Sequence, residues 1–153
     1  MNGVLILAHA PLASALKQCV LHVFPDAGTA VEALDVQANE TPSATLMQAR
    51  MLAEQLGTPH LLVLADLFGA TPCNVATQLV QQWAQADGCS ARLVAGVNAP
   101  MLMRAVTYRH EALEQLVTRA VAGGTQGVLT ISPAAPQNQA RKPHDPNHHD
   151  HQQ

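Results

Sequence analysis

The stretch "HLLVLADLFGATPCNVATQLV" (residues 60–80) decides the fold class. It opens with a continuous apolar run, which is typical of a strand buried on both faces of a sheet. The run ends at Asp66, and a short linker leads to a Thr-Pro pair followed by apolar residues at helical spacing. Thr71 is the expected N-cap and Pro72 the first helical residue. A buried strand joined to a helix by a short loop indicates an α/β protein with a parallel sheet.

The rest of the chain repeats this alternation. Strands are predicted at 4–8, 30–36, 60–66, 92–97 and 127–131. Helices are predicted from Pro11 to near Pro25 and at 41–57, 71–85, 99–106 and 111–124, the last one ending at a double glycine. Short strand–helix connections favour a doubly wound, mostly parallel sheet with helices on both faces.

The composition indicates one globular domain. The chain has 153 residues, of which 48% are hydrophobic and 12% charged, enough for a single core. Its net charge of −3 and its scattered Lys and Arg residues provide no basic stripe for nucleic acid. No run reaches the roughly 18 apolar residues of a membrane span. We therefore expect a cytoplasmic protein that neither binds nucleic acid nor inserts into the membrane.

The last 21 residues differ sharply in composition from the rest. We assign residues 1–132 to the domain and 133–153 to a disordered tail, since the tail has almost no apolar side chains larger than alanine. Its clustered histidines and aspartates could bind Ni, Cu or Zn weakly. They lack the fixed spacing of a structural site, so no metal site is assigned. The residues concerned are His144, Asp145, His148, His149, Asp150 and His151.

Two classes of chemistry find no support in the motifs. The three cysteines, Cys19, Cys73 and Cys89, are widely spaced and form no C-x-x-C pair, so we expect reduced, mostly structural thiols. A G-x-x-x-x-G-K-[ST] loop is absent from the sequence, which argues against direct use of a nucleotide. No cofactor is expected.

Polar residues follow three of the predicted strands. His9 follows the first strand, Asp66 and Thr71 follow the third, and Asn98 follows the fourth. Each has an ordinary structural alternative as a loop, turn or capping residue. In an open parallel sheet, however, ligands bind outside the carboxyl ends of the strands, where these four side chains would converge.

Together these groups suit phosphoryl transfer through a histidine. A neutral imidazole is a good nucleophile near pH 7, and a carboxylate that accepts its other ring N–H fixes the tautomer and stabilises positive charge. Helix N-termini attract anions. Gly69 allows close approach of the backbone, and the Thr71 hydroxyl adds a donor. Such a reaction depends mainly on positioning and charge stabilisation.

Three segments carry a family resemblance: "VLILAHAPLA" (4–13), "LLVLADLFGATPCNVA" (61–76) and "VAGVNAPMLMRA" (94–105). Together they resemble the enzyme IIA component of the mannose-type bacterial phosphoenolpyruvate:sugar phosphotransferase system. The resemblance spans roughly residues 1–131.

The resemblance implies that His9 accepts a phosphoryl group from the phosphocarrier HPr and passes it to a histidine of an enzyme IIB partner. Asp66 matches the carboxylate beside that histidine, and Thr71 matches a hydroxyl residue that holds the phosphate. It also implies a phosphate-loop and partner-binding set: Ala10, Pro11, Leu67, Phe68, Gly69, Ala70, Asn98, Pro100 and Met101.

The resemblance further implies a homodimer that exchanges a last, antiparallel strand, here residues 127–131. Association with membrane transporter subunits is left open. The chain departs from the family pattern at Ala10 and Ala70, which replace glycines, and at Cys73, which replaces an aromatic residue. Alanine would be strained there if the backbone required a positive φ.

Two other roles remain open from the sequence. The chain could be a regulatory module whose phosphorylation state is sensed by a partner protein without sugar transport. It could also donate phosphoryl groups to a dihydroxyacetone kinase. The sequence does not reveal the sugar, since the resemblance implies that sugar selectivity belongs to the membrane subunits.

Overall fold

The computed structural model describes residues 1–133 of the protein. Its sheet has four parallel strands in the order β2-β1-β3-β4. They are β1 (Gly3–His9), β2 (Val31–Val36), β3 (His60–Ala65) and β4 (Ser90–Ala95). The predicted fold class, a doubly wound parallel sheet, is confirmed. Strand β4 lies two residues earlier than predicted, since Gly96 turns the chain away with a φ of 92°.

Five α-helices cover the two faces of the sheet. They are α1 (Leu12–Val23), α2 (Pro42–Gln55), α3 (Thr71–Trp83), α4 (Ala99–Thr107) and α5 (Leu113–Gln126), and a short 3-10 helix spans Pro25–Thr29. Helices α1, α4 and α5 contribute to the core on one face, and α2 and α3 to the core on the other.

Strand β1 lies in the centre of the sheet and is buried on both faces. Val4, Ile6 and Ala8 face the α1/α4/α5 side, whereas Leu5 and Leu7 face the α2/α3 side. All five side chains are fully buried. This explains why the sequence shows a continuous apolar run there rather than an alternating pattern.

The register of the central strands brings two predicted site residues together. Leu7 on β1 pairs with Ala65 on β3, so His9 and Asp66 both lie just past this pair at the carboxyl edge. Strand β2 lies on one side of β1 and β3 lies on the other. The order in which the chain adds strands to the sheet therefore reverses at β1. Such a switch point opens a crevice at the carboxyl ends of the strands.

The double glycine lies inside the last helix, whereas the sequence pattern predicted that it would end the helix. Helix α5 continues through Gly123 and Gly124 to Gln126. A Cβ atom at Gly123 would collide with the Arg104 side chain, and one at Gly124 with Met101. The glycines therefore serve the close approach of α4 and α5 rather than a helix stop.

The predicted fifth strand, residues 127–131, is not a strand in the described chain. Val128, Leu129 and Ile131 are 78%, 77% and 89% exposed. A strand needs a neighbouring edge to pair its backbone groups, and within residues 1–133 this segment pairs with none. Its predicted exchange between two copies stays a prediction.

Most of the predicted tail, with its histidine cluster, lies outside the described residues. In the described range, no helix has both the length and the apolar character needed to cross a membrane.

Candidate functional site

His9 and Asp66 form a hydrogen-bonded pair at the β1/β3 switch point. The backbone N–H of His9 donates to Oδ2 of Asp66 at 2.9 Å. The His9 Nδ1 atom lies 2.7 Å from the same oxygen. The prediction that parallel strands would bring these two residues to one edge is confirmed by this geometry.

The surroundings of Asp66 favour its ionised form. Its side chain is only 8% exposed, and this burial by itself raises the pKa of the carboxyl group. The hydrogen bonds from His9, backbone and ring, and from the Leu67 N–H, 2.8 Å from Oδ1, outweigh burial. The net result is a lowered pKa. Asp66 is thus a fixed negative charge facing the His9 ring.

This contact determines which ring nitrogen of His9 can react. A carboxylate only accepts hydrogen bonds, so Nδ1 must carry the proton that lies between it and Asp66. In the neutral ring, Nε2 then keeps a free lone pair. The side chain is 51% exposed. The arrangement presents a nucleophilic nitrogen to a molecule docking at the edge of the sheet.

The N-terminus of α3 lies beside this pair, with one correction to the prediction. Thr71 is not the N-cap; Ala70 is, with extended backbone angles of −81° and 167°, and its carbonyl accepts from the Asn74 N–H. Thr71 is the first helical residue, so its hydroxyl is not used for capping. The first N–H groups of a helix have no partner within it, and together with its dipole they favour an anion.

An open cleft of about 380 Å³ joins the pair to the loop between β2 and α2. His9 and Thr71 line one part of the cleft, and Gln37, Ala38 and Glu40 line the other. Glu40 is not predicted from the sequence as a site residue, because a single glutamate before the capping Thr41 of a helix shows no pattern. Only the fold brings it beside His9.

Asn98 is oriented differently from His9 and Asp66. It is the N-cap of α4, where its Oδ1 accepts from the Met101 N–H at 3.0 Å. Its amide nitrogen donates to the carbonyls of Gly96 and Gly124, each at 3.4 Å. Met101 itself is buried. The side chain of Asn98 is therefore occupied in holding α4 and α5.

Apolar residues that follow His9 and Asp66 in the chain are exposed. Leu67 is 60% and Phe68 91% exposed, both directly after Asp66. Ala10 and Pro11 are also exposed, next to His9. Phe68, projecting almost fully into solvent, is a typical anchor for a docking protein.

The departures from the family pattern cause no backbone strain. Within the described part of the chain, only glycines have a positive φ, among them Gly69 at 80°. Neither Ala10 nor Ala70 has a positive φ, so the strain expected for alanine at such a position does not arise. Cys73 is 3% exposed and is therefore a small buried residue of the core. No group of three potential metal ligands is found among residues 1–133.

Comparison with solved structures supports this description of the fold. The mannose/sorbose specific IIA subunit of the phosphotransferase system from Enterococcus faecalis is 27% identical, with a TM-score of 0.74. The match covers 88% of this chain and 97% of that one. Phosphotransferase system component EIIA from Streptococcus agalactiae shares the fold, with a TM-score of 0.73 at 23% identity, over 85% of this chain and 97% of that one.

The sequence was also compared with family models and with curated proteins. No curated protein matches it significantly. The model of the PTS system fructose IIA component matches residues 3–121, most of the chain. The resemblance inferred from the three segments is confirmed, and the protein belongs to the fructose/mannose family of IIA components of the phosphotransferase system.

Proposed function

We propose that the protein is a phosphohistidine carrier that accepts a phosphoryl group from HPr on His9 and passes it to a histidine of an enzyme IIB partner. The observation that carries the proposal is the 2.7 Å contact between His9 Nδ1 and Asp66. It leaves Nε2 free on a ring that is half exposed. This role belongs to the cytoplasm, where the phosphoryl relay operates.

The proposed transfer needs no proton to move at His9. The Nε2 lone pair attacks phosphorus, a new N–P bond forms, and the bond from phosphorus to the donor nitrogen breaks, returning its electron pair to the donor ring. The His9 ring then carries a positive charge. Its proton stays on Nδ1 and remains hydrogen-bonded to Asp66. The ionised Asp66 stabilises that charge in the same way as the carboxylate of a catalytic triad. Transfer to the acceptor reverses these steps.

Two further groups would hold the phosphoryl oxygens. Thr71 lines the cleft beside His9, and its hydroxyl makes no hydrogen bond within residues 1–133. The N–H groups of the first turn of α3 supply an electrostatic cradle. Leu67 and Phe68, both exposed beside the histidine, would form the apolar contact with HPr and with IIB in turn.

The dimer is part of the same proposal. Residues 127–131 carry three exposed apolar side chains, and β2 and β4 are edge strands of the sheet within the described residues. An antiparallel strand donated by a second copy would pair with a free edge and bury these side chains.

Reconstituted labelling tests the proposal. Incubation with phosphoenolpyruvate, enzyme I and HPr should add one acid-labile, base-stable phosphoryl group per chain, mapped to the peptide that contains His9. His9→Ala should remove the label without unfolding the protein. The matched control is His22→Ala, since His22 is an exposed histidine on α1.

Adding IIB then identifies the acceptor. Loss of label from the carrier together with its appearance on IIB supports transport. A label on a histidine of the tail, or full labelling of His9→Ala, would refute the role of His9. Retention of the label on His9 in the presence of IIB would refute the transport relay, leaving a sensor or a different acceptor.

A further inference from the structure

The connection between β1 and α1 carries the proposed phosphoryl acceptor and is very short. Strand β1 ends at His9 and helix α1 begins at Leu12, so only Ala10 and Pro11 join them. Pro11 occupies the N-cap position of α1 and gives the helix no side-chain hydrogen bond. Without a capping side chain, the first N–H groups of a helix need partners from elsewhere. The segment that places His9 therefore depends on neighbouring elements.

Strand β2 supports this segment at two points. The carbonyl of Val36 accepts a hydrogen bond from the Ala10 N–H at 3.1 Å. The Oδ1 atom of Asp35 accepts one from the Ser14 N–H, in the first turn of α1, at 3.0 Å. Asp35 thus takes the role of a capping side chain, although it belongs to a different element. A carboxylate is also favourable at the positive end of the helix dipole.

Asp35 and His9 lie on opposite faces of the sheet. Asp35 pairs in register with Ala8, and Val36 pairs with His9. Paired residues share a face and successive residues alternate, so Asp35 points to the α1/α4/α5 side together with Ala8. Asp35 is also not among the residues that line the His9 cleft. It can therefore act on the histidine only through the backbone that it holds.

We propose that Asp35 is a positioning residue for phosphoryl transfer, which holds the first turn of α1 and thereby keeps His9 in contact with Asp66. This inference rests on the proposed function of His9. Asp66 binds both the backbone N–H and the ring of His9, at 2.9 and 2.7 Å, so a shift of this backbone also changes the contact of the ring. Transfer that depends on positioning is sensitive to small displacements. Loss of the Asp35 contact should slow the transfer step and leave docking of HPr nearly unchanged.

Two conservative variants separate the position of the acceptor oxygen from its charge. Asp35→Asn keeps an oxygen beside the Ser14 N–H and removes the charge, whereas Asp35→Glu keeps the charge and displaces the oxygen by one methylene. Single-turnover transfer from phosphorylated HPr to His9, measured over a range of HPr concentrations, compares them. We expect Asp35→Glu to lower the maximal rate about tenfold, with little change in the half-saturating concentration of HPr. Asp35→Asn should transfer at close to the wild-type rate.

Amide hydrogen exchange provides a second measurement that reports on position. In Asp35→Glu the backbone N–H of Ala10 should exchange faster, whereas that of Leu62 in β3 should not change. The matched control is Glu32→Gln, since Glu32 also lies on β2 and binds Lys17 of α1 at 2.6 Å. Glu32 pairs with Leu5 and thus joins the same two elements farther from the carboxyl edge. Its loss should change neither the transfer rate nor the exchange at Ala10.

Each alternative outcome contradicts the proposal in a distinct way. A wild-type rate for Asp35→Glu would show that the contact with Ser14 does not matter for transfer. Slow transfer in Asp35→Asn with normal transfer in Asp35→Glu would assign the effect to charge. Equal slowing in Glu32→Gln would show that any attachment of α1 to β2 has the same effect. A change only in the half-saturating concentration of HPr would assign Asp35 to docking.

Failure of the proposed function is distinguishable from failure of this inference. In the first case the wild-type protein would acquire no label at His9. In the second it would be labelled normally, and the Asp35 variants would not differ in the expected order.

Discussion

The loops after β1 and β3 differ from the loop after β4 in what their polar side chains bind. In the first two, Asp66 spans the gap between strands and contacts the backbone and ring of His9, which leaves Nε2 outside this hydrogen bond. In the third, Asn98 bonds to its own loop, to the first turn of α4 and to α5. All three loops lie at the same edge of a parallel sheet.

Polar residues at the same edge of the sheet can thus differ in role. Some are accessible to a docking molecule, and others support the neighbouring helices. The β1/β3 boundary is a switch point, where the helices that follow the two strands lie on opposite faces and leave a crevice. Beyond β4 the neighbouring α4 and α5 close the space, and the polar residue satisfies their backbone. A polar residue at a strand end is therefore accessible to a docking molecule only where the topology leaves room.

Asp66→Asn has the largest expected effect, because it alters the contact that distinguishes the β1 and β3 loops from the β4 loop. The amide can donate to Nδ1 and thus turn the ring to the tautomer with a protonated Nε2. It also provides no negative charge for the phosphorylated ring. We expect phosphoryl transfer to His9 to slow by about 100-fold or more, measured by rapid-quench labelling. Asp87→Asn, at an exposed surface carboxylate, is the control. Transfer at the normal rate would remove Asp66 from the mechanism.

Asn98→Ala should affect stability and leave transfer nearly unchanged. Removing the N-cap of α4 and the bonds to α5 should lower the free energy of unfolding by about 1 kcal/mol. Urea unfolding measures this change, with Asn39→Ala in an exposed loop as the control. A normal unfolding curve combined with a large loss of transfer would mean that Asn98 serves the reaction directly.

Thr71→Val tests whether the hydroxyl group beside His9 contributes to transfer. Valine keeps the shape of threonine and removes the hydroxyl, which does not cap α3. Transfer should slow about fivefold, the value of one hydrogen bond of about 1 kcal/mol. Thr118→Val is the control, since its hydroxyl donates to the Glu114 carbonyl on α5. Equal rates for wild type and Thr71→Val would exclude the hydroxyl as a phosphate ligand.

The pH dependence of stability gives the smallest expected effect. Asp66 has a lower pKa in the folded protein than in the unfolded chain, so protons bind the unfolded chain more tightly. Its stabilising contribution is complete above the unfolded pKa, near 4, and disappears as the pH falls through the folded pKa. Wild type should thus lose more stability than Asp66→Asn on acidification below about pH 4, as thermal unfolding would measure. Parallel curves would contradict the lowered pKa.

The sequence was sufficient for the sheet and for the proximity of His9 and Asp66. Continuous apolar runs such as 4–8 identify strands that are buried on both faces, and parallel strands align their carboxyl ends. These two regularities alone placed His9 beside Asp66. The N-cap was missed by one residue, because Ala70 caps with its backbone and carries no side-chain signal.

Other features depended on contacts that a linear pattern does not contain. Residues 127–131 have the composition of a strand, but within residues 1–133 they pair with neither edge strand of the sheet. Gly123 and Gly124 look like a helix stop, but they are needed because α4 packs closely against them. Glu40 reaches the cleft through the path of the β2–α2 loop, which no spacing rule predicts.

The most direct test of the account is the identity of the phosphorylated nitrogen. Phosphorus and nitrogen NMR of the labelled protein, with ¹⁵N in the histidine rings, distinguishes the two ring positions. We predict the phosphoryl group on Nε2 of His9 and a proton retained on Nδ1, hydrogen-bonded to Asp66. A phosphoryl group on Nδ1 would require that bond to break and would contradict the central claim, as would a label on any other histidine.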